Sequence, residues 1–372
     1  MDQNLHVAIL DCYPKADRYH YMTLPTASTL LRHAVSNCPN LHKLSLVALK
    51  RYMERTPTDL STALTFWEPS YYESLSSLPL RELCCGTNLL LPANIHALVE
   101  LQFLERLELH SVNELLNLNA PSPEMLPLLN TLILVAVNWC DIISILKLNV
   151  YSGVKSLTIR MSEIYHDEVS SLDDEPITSL TVLIAFCCPT LNNLEIDCGN
   201  DHFFSLEDIS VLQALAGLPL HSVSLINISV PSSMLEKLVS LFPLASTIRI
   251  PDSLLGLADL HYFSQPPNLV HLAIRLSVSL GTSIPPQALQ VDSMFKVASN
   301  FEILEIASSP TKDMVDLSPL AMYLLSVWPN LKQVIWTDGL EPGEEDPERN
   351  TVIENALNAL ISIYQIISTT NI

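Results

Sequence analysis

Glycine is scarce in this chain. Only 8 of 372 residues are Gly, against 25 Pro, which leaves little material for Gly-rich phosphate loops. Neither a G-x-x-x-x-G-K-[ST] phosphate loop nor a G-x-S-x-G nucleophile elbow occurs. Basic residues are few as well. The 19 Lys and Arg face 40 Asp and Glu, a formal charge of −21. Nucleic-acid backbones and anionic membrane surfaces attract basic proteins, so neither is expected as a partner. Aromatic residues make up 6% and are not interleaved with basic runs, which argues against stacking on single-stranded nucleic acid.

The cysteines form no C-x-x-C pair. They stand at 12, 38, 84, 85, 140, 187, 188 and 198. Adjacent doublets make a poor disulfide framework, and several of these residues lie in apolar runs, where free Cys behaves as a small buried hydrophobe. The expectation is reduced thiols and an intracellular protein, cytoplasmic or nuclear. One member of each doublet, Cys84-Cys85 and Cys187-Cys188, falls at an inward core position, which fits packing rather than a nucleophile. Tyr165-His166-Asp167-Glu168 and Asp197-Cys198-Gly199-Asn200-Asp201-His202 contain metal-type residues. They lack the i, i+4 His pair or twin-Cys spacing of zinc sites, so both read as solvated turns. No catalytic residue, metal ligand or cofactor is expected.

Residues Met1 to Leu10 lack the basic region and apolar run of a secretory signal. The uncharged stretches Pro176–Leu194 and Ile209–Leu235 are broken by Pro189, Asn192, Asn193, Pro219, His221, Asn227 and Pro231. These breaks fit helix–turn–strand boundaries better than a ~20-residue membrane span.

What the chain does have is apolar residue in quantity, 48% with a mean hydropathy of +0.29, and a sentence that it repeats. Cys188-Pro189-Thr190-Leu191-Asn192-Asn193-Leu194-Glu195-Ile196 is rewritten at Cys38-Pro39-Asn40-Leu41…Leu44…Leu46 and at Trp328-Pro329-Asn330-Leu331…Val334…Trp336. The inward triplets between them begin at residues 80, 104, 129, 154, 220, 245, 269 and 301. Successive starts are 24 to 39 residues apart. Asn4–Leu10 alternates with period two and reads as a further strand, so the chain is expected to open inside a repeat. Inserts are expected at Arg51–Ser77 and Ser162–Glu175. Helices are expected at Thr23–Cys38, Ile95–Phe103, Asp141–Leu148, Ser205–Leu218, Pro231–Phe242, Gln287–Ser299 and Leu317–Trp328.

Strand, helix and strand with such short returns build a parallel sheet with helices on its other side. Strands need ~4.8 Å each and helices ~10 Å, so the stack is expected to bend with its strands inward. The fold expected is therefore an α/β solenoid, a horseshoe with a concave parallel β-sheet and helices on the convex side. It occupies residues 1–340, followed by an acidic loop over 341–350 and a C-terminal capping helix over 351–372. Within that helix Ile353, Ala356, Leu357, Leu360, Ile361 and Tyr364 form the expected contact face.

The L-x-x-L-x-L strand resembles the leucine-rich-repeat family, whose repeats run ~20–29 residues. Cys three positions before the first leucine, at Cys38 and Cys188, looks like the cysteine-containing subtype of F-box proteins. Irregular spacing and the Leu-Pro-Leu starts (Leu78–Leu80, Leu218–Leu220) are similar to the degenerate repeats of fungal F-box-type proteins. The F-box itself is not seen. The position that usually holds Asn or Cys after the strand is Leu49, Val112, Val137, Ser162, Gly199, Ile228 and Ser253, so the family's buried hydrogen-bonding ladder is not carried over. The resemblance implies the substrate-recognition part of a ubiquitin-ligase adaptor, with cullin-type ligase subunits among its partners.

Alternation places a set of charged side chains on the concave face: Arg106, Glu108, His110, Arg160, Glu195, Asp197, Arg249, His271, Arg275 and Glu305. Two readings stand side by side. The arginines clamp acidic groups on a protein partner, or they pair laterally with acids of neighbouring strands. The function expected is a non-catalytic protein–protein interaction scaffold. The alternatives are a signalling or sensing repeat domain that has lost its effector module, and a metal-dependent hydrolase using the His166 or His202 loop.

Overall fold

Each repeat opens on a tight turn that the sequence spells out. The N–H groups of Leu41, Leu191, Ala245 and Leu331 bond to the carbonyls of Cys38, Cys188, Phe242 and Trp328 at 3.0, 3.1, 3.1 and 3.1 Å. Pro39, Pro189, Pro243 and Pro329 stand second in these turns, where the ring's fixed φ is already correct and no N–H is needed. The residue that starts the turn is buried each time, which explains why Cys, Phe and Trp recur there. Where the chain reads Leu-Pro-Leu, the N–H groups of Leu80 and Leu220 bond instead to the carbonyls of Leu78 and Leu218, 2.8 Å each. These are three-residue turns centred on Pro.

The computed structural model describes residues 7–9, 32–33, 35–45, 74–91, 94–110, 126–137, 139–148, 151–161, 175–199, 204–277, 300–307, 317–337 and 347–370. It divides into two compact units. One comprises Met1–Ser171 and Pro176–Leu191, the other Leu172–Glu175 and Asn192–Ile372.

In the first unit the strands β1 (Val7–Ile9), β2 (Lys43–Ser45), β3 (Glu82–Gly86), β4 (Arg106–His110), β5 (Thr131–Val137) and β6 (Ser156–Met161) lie side by side in sequence order. Each pair of neighbours is parallel. Helices α1 (Ile95–Val99) and α2 (Trp139–Leu146) form the return paths, and α3 (Glu175–Cys187) follows. In the second unit β7 (Asn193–Asp197), β9 (Ser222–Ile226), β11 (Thr247–Leu255), β12 (His271–Leu276), β13 (Ile303–Ala307) and β14 (Gln333–Thr337) are again neighbours in that order and parallel. A separate two-stranded sheet pairs β8 (Phe204–Ser205) with β10 (Ile228–Ser229). Helices α4 (Leu235–Leu241), α5 (Ser318–Val327) and α6 (Pro347–Thr370) complete the unit. Sequential parallel strands with a return segment per repeat define an α/β leucine-rich-repeat solenoid.

Register is locked by one carbonyl per repeat. The carbonyl of Arg81 accepts from the N–H groups of both Glu105 and Arg106, at 2.8 and 2.9 Å. The carbonyls of His42, Glu105, Asn130, Asn192, His221, Ser246, Val270 and Glu302 each do the same for the next repeat. All are the residue after the first inward apolar position, so the apolar triplets are stacked by backbone bonds as well as by contact. Leu44, Leu83, Leu107, Leu132 and Leu157 stand in register across β2 to β6, and all are buried. Leu194, Val223, Ile248, Leu272, Leu304 and Val334 do so across β7 to β14. Of the residues expected inward, all but Leu46, which lies outside the described residues, are buried.

Several helix bounds differ from expectation. The segment expected as a helix over Ser205–Leu218 is a short strand ending at Ser205 and a 3₁₀ helix over Ile209–Gly217. Its start is set by Asp208, whose side chain accepts from Ser210 N. A 3₁₀ helix rises ~2.0 Å per residue and spans a short return path with fewer residues than an α-helix. Helix α6 begins at Pro347, within the expected acidic loop, consistent with the preference for Pro in a first helical turn. The helices expected at Gln287–Ser299 and over most of Thr23–Cys38, and the loops carrying His166 and His202, lie outside the described residues. Among the described residues no helix is long and apolar enough to cross a membrane.

The contact face of α6 is the one expected except at one position. Ile353, Leu357 and Ile361 are buried and Leu360 and Tyr364 half-buried, but Ala356 is exposed. Polar side chains take the neighbouring positions and bond to the open edge of β14. Asn358 accepts from Val334 N at 2.7 Å and donates to Val334 O at 2.9 Å. Glu354 accepts from Trp336 N at 2.9 Å, and Gln365 donates to Leu331 O at 2.7 Å. An edge strand presents unpaired backbone groups, and these side chains meet them.

Candidate functional site

Alternation along the strands puts one set of side chains in the core and the next on the open face of the sheet. All ten charged residues named above lie on strands at open-face positions: Arg106, Glu108 and His110 on β4, Arg160 on β6, Glu195 and Asp197 on β7, Arg249 on β11, His271 and Arg275 on β12, Glu305 on β13. Within each unit some of them cluster.

In the first unit the cluster centres on Glu108. His110 Nε2 lies 2.9 Å from Glu108 Oε1, and Arg106 Nη2 lies 3.7 Å from Oε2. The hydrogen bond with His110 holds the Glu108 carboxyl below the usual carboxylate range, and the Cys84 thiol and Arg106 act in the same direction against burial. Cys84 was unforeseen here. It is the strand neighbour of Glu108 in register, on the open face, while Cys85 next to it is buried. The inward spacing of Leu83 and Cys85 already put Cys84 outward, but the register that brings it to Glu108 comes from the β3–β4 pairing. Along the same face Lys43 and Glu82 form an ion pair at 2.7 Å. Arg160 stands in register with Val135, two strands away from the Glu108 cluster.

In the second unit a row crosses five neighbouring strands in register: Glu195, Ser224, Arg249, Ala273 and Glu305. Arg249 Nη2 reaches Glu305 Oε1 at 3.4 Å, and His271 Nε2 lies 3.3 Å from the other oxygen. These neighbours, His271 first, keep the Glu305 carboxyl below its usual range although burial opposes them. Among the described residues Ser224 Oγ and Arg249 Nε are buried without a hydrogen-bond partner. The lateral pairing of arginines with neighbouring acids is therefore real for Arg249 but incomplete, because part of its guanidinium remains unmatched.

Asp197 is held by contacts within the chain. Its Oδ1 accepts from Gly199 N at 3.0 Å and from Asn227 Nδ2 at 2.7 Å. Asn227 has φ 58, a left-handed conformation that Asn tolerates better than most residues, and its N–H donates to Asp252 Oδ2 at 2.6 Å. Val230 N donates to Ser253 Oγ at 2.9 Å. These residues form a short polar ladder that includes Ser253, which stands at the position after the strand where the pattern usually holds Asn or Cys. Burial pushes the Asp252 carboxyl up, with Asn227 N–H and Arg275 opposing.

No family model matches the chain. No curated protein matches it at a significant level. Among solved structures, the chain is similar to an internalin (inlF) from Listeria monocytogenes, with 14% identity, 92% of this chain and 88% of that one covered and a TM-score of 0.39. It is also similar to TLR13 in a TLR13–ssRNA13 complex, with 16% identity, 90% of this chain and 40% of that one covered and a TM-score of 0.34.

Proposed function

We propose that this chain is a non-catalytic protein-interaction scaffold that holds its partner on the open face of its parallel strands. The observation that carries the reading is the Glu195–Ser224–Arg249–Ala273–Glu305 row, with His271 beside it. Acid, guanidinium and imidazole groups stand there at fixed strand spacing, and the Arg249 side chain is 35% exposed. A carboxylate or backbone carbonyl of a protein partner accepts from the exposed part of the Arg249 guanidinium. Formal charge of −21 favours partners with basic surface around that contact.

The finer reading follows the repeat style. The chain acts as the substrate-recognition part of an F-box-type ubiquitin-ligase adaptor inside the cell, in company with cullin-type ligase subunits. Support comes from the buried turn cysteines Cys38 and Cys188. The described cysteines with free thiols agree with a reducing compartment. The test is a charge reversal on the open face. Arg160→Glu combined with Arg249→Glu abolishes partner capture while circular dichroism and the melting temperature stay near those of the parent. Capture that survives the reversal removes the open face as the binding surface. Absence of cullin-type subunits among the captured proteins removes the ligase assignment alone.

A further inference from the structure

Cys84, Glu108 and His110 bring a sulfur, an oxygen and a nitrogen donor together from two neighbouring strands. One ligand atom from each residue lies within 4.8 Å of the other two. Cys84 and Glu108 face each other in register across β3 and β4, and Gly86 stands opposite His110. With no side chain at Gly86, the imidazole has no facing group to crowd it from β3. All three donors are half-buried, so they are shielded yet reachable from the open face. Their order differs from that of the common thiol triad. In that arrangement an imidazole sits between the nucleophile and the acid, whereas here the carboxylate is the shared centre, contacted by His110 at 2.9 Å.

We propose that Cys84, Glu108 and His110 form a binding site for a divalent transition-metal ion of the zinc class, with a fourth position open towards the free face of the sheet. The donor set selects the ion. A thiolate disfavours Mg²⁺ and Ca²⁺, which take oxygen ligands. Sulfur, imidazole and carboxylate together suit Zn²⁺, which takes them at ~2.0–2.3 Å in a tetrahedron. Such bond lengths require ligand atoms ~3.3–3.8 Å apart, so from separations within 4.8 Å the cluster closes by at most about 1.5 Å while the His110–Glu108 contact opens slightly. Arg106, 3.7 Å from the second oxygen of Glu108, holds that carboxylate from the outer side, as outer partners do at metal sites. Binding displaces the Cys84 proton to solvent, so the thiol becomes the thiolate ligand. Three protein ligands and one open position let a donor atom of the bound partner complete the shell. The ion thereby links this site to the partner-binding face without being required for the fold.

The experiment is a zinc titration of the tag-free full chain by calorimetry, with cobalt as a spectroscopic substitute. The parent binds one equivalent, and the cobalt form shows a sulfur-to-metal charge-transfer band. Cys84→Ser removes the band. Cys84→Ser and His110→Ala each weaken zinc by more than the ~10–100-fold that loss of an outer partner costs, with melting temperatures unchanged in the absence of metal. Zinc also slows alkylation of Cys84 in the parent, as read by peptide mass spectrometry. A parent that takes up no equivalent, a cobalt spectrum without the sulfur band, or an unchanged affinity in the two variants overturns the site.

Discussion

Arg249 reaches Glu305 over the methyl group of Ala273. The three are register partners on β11, β12 and β13, and the fully buried Ala273 lies between an arginine and an acid 3.4 Å apart. Alanine is the side chain small enough to let the guanidinium pass. Replacing it with leucine forces volume into a packed site, so Ala273→Leu destabilises the protein by about 1–3 kcal/mol in urea unfolding. Ala273→Ser does so by less.

The Arg249–Glu305 pair contributes little to the fold. The Arg249 side chain is 35% exposed and the contact is long, so a double-mutant cycle with Arg249→Ala and Glu305→Ala yields a coupling below about 1 kcal/mol. A weak internal pair can exchange partners at low cost, which is what a binding surface requires.

The polar side chains of α6 bear directly on edge protection. Asn358→Ala leaves both Val334 N and Val334 O without their partner. The expected loss is about 1–3 kcal/mol, with faster amide hydrogen exchange at Val334 and Trp336. An uncovered edge also templates strand addition, so the variant sediments with a larger concentration-dependent oligomer fraction than the parent.

Two carboxylates act in opposite senses with pH. Glu305 lies below its ordinary value of 4.5 in the fold, so the unfolded chain binds the proton more readily. Its stabilisation is present above that value and is lost as pH falls through the folded one. Asp252 lies above its ordinary value of 3.8 because it is buried. Its ionisation in the fold therefore costs stability as pH rises through the raised value, and that cost persists at neutral pH. Glu305→Gln flattens the acid limb of stability below about pH 4.5. Asp252→Asn, which keeps an acceptor for Asn227 N–H, raises stability at pH 7 in urea unfolding.

Thiol accessibility gives a direct reading of strand orientation. Burial pushes Cys188 and Cys198 up to about 12 and Cys85 well above its ordinary value. Reaction needs an accessible thiolate. Among the described cysteines of the metal-free protein, Cys84 is alkylated first, and Cys85, Cys188 and Cys198 react only after unfolding. Equal labelling of Cys84 and Cys85 contradicts the assignment of one to the open face and the other to the core.

Much of the fold was legible because burial imposes a period. Leu80, Leu83 and Cys85 can share one face only in an extended strand, and Pro39 or Pro189 can follow a helix only in a turn. Partner strands were legible too, since repeats of one pattern stack in order. What was not legible depends on pairing geometry. Nothing local to Cys84 announces Glu108, which is 24 residues away and becomes its neighbour only through the β3–β4 register. The ladder through Asp197, Asn227 and Asp252 depends on a left-handed residue and on a register shift in β11 between Ile250 and Leu254. Ala356 was misplaced for a related reason. Helical periodicity finds apolar contact faces, whereas α6 also meets a strand edge, whose unpaired groups call for Glu354, Asn358 and Gln365.

The most direct measurement is affinity purification of the tagged chain from its own cells, in parallel with the Arg160→Glu, Arg249→Glu variant, with bound proteins quantified by mass spectrometry. The account predicts a reproducible protein partner that is depleted at least about tenfold with the variant, the equivalent of about 1.4 kcal/mol or more of lost binding, while both baits remain folded. A partner recovered equally with both baits would contradict it, because the open face of the strands would then not be where this protein binds.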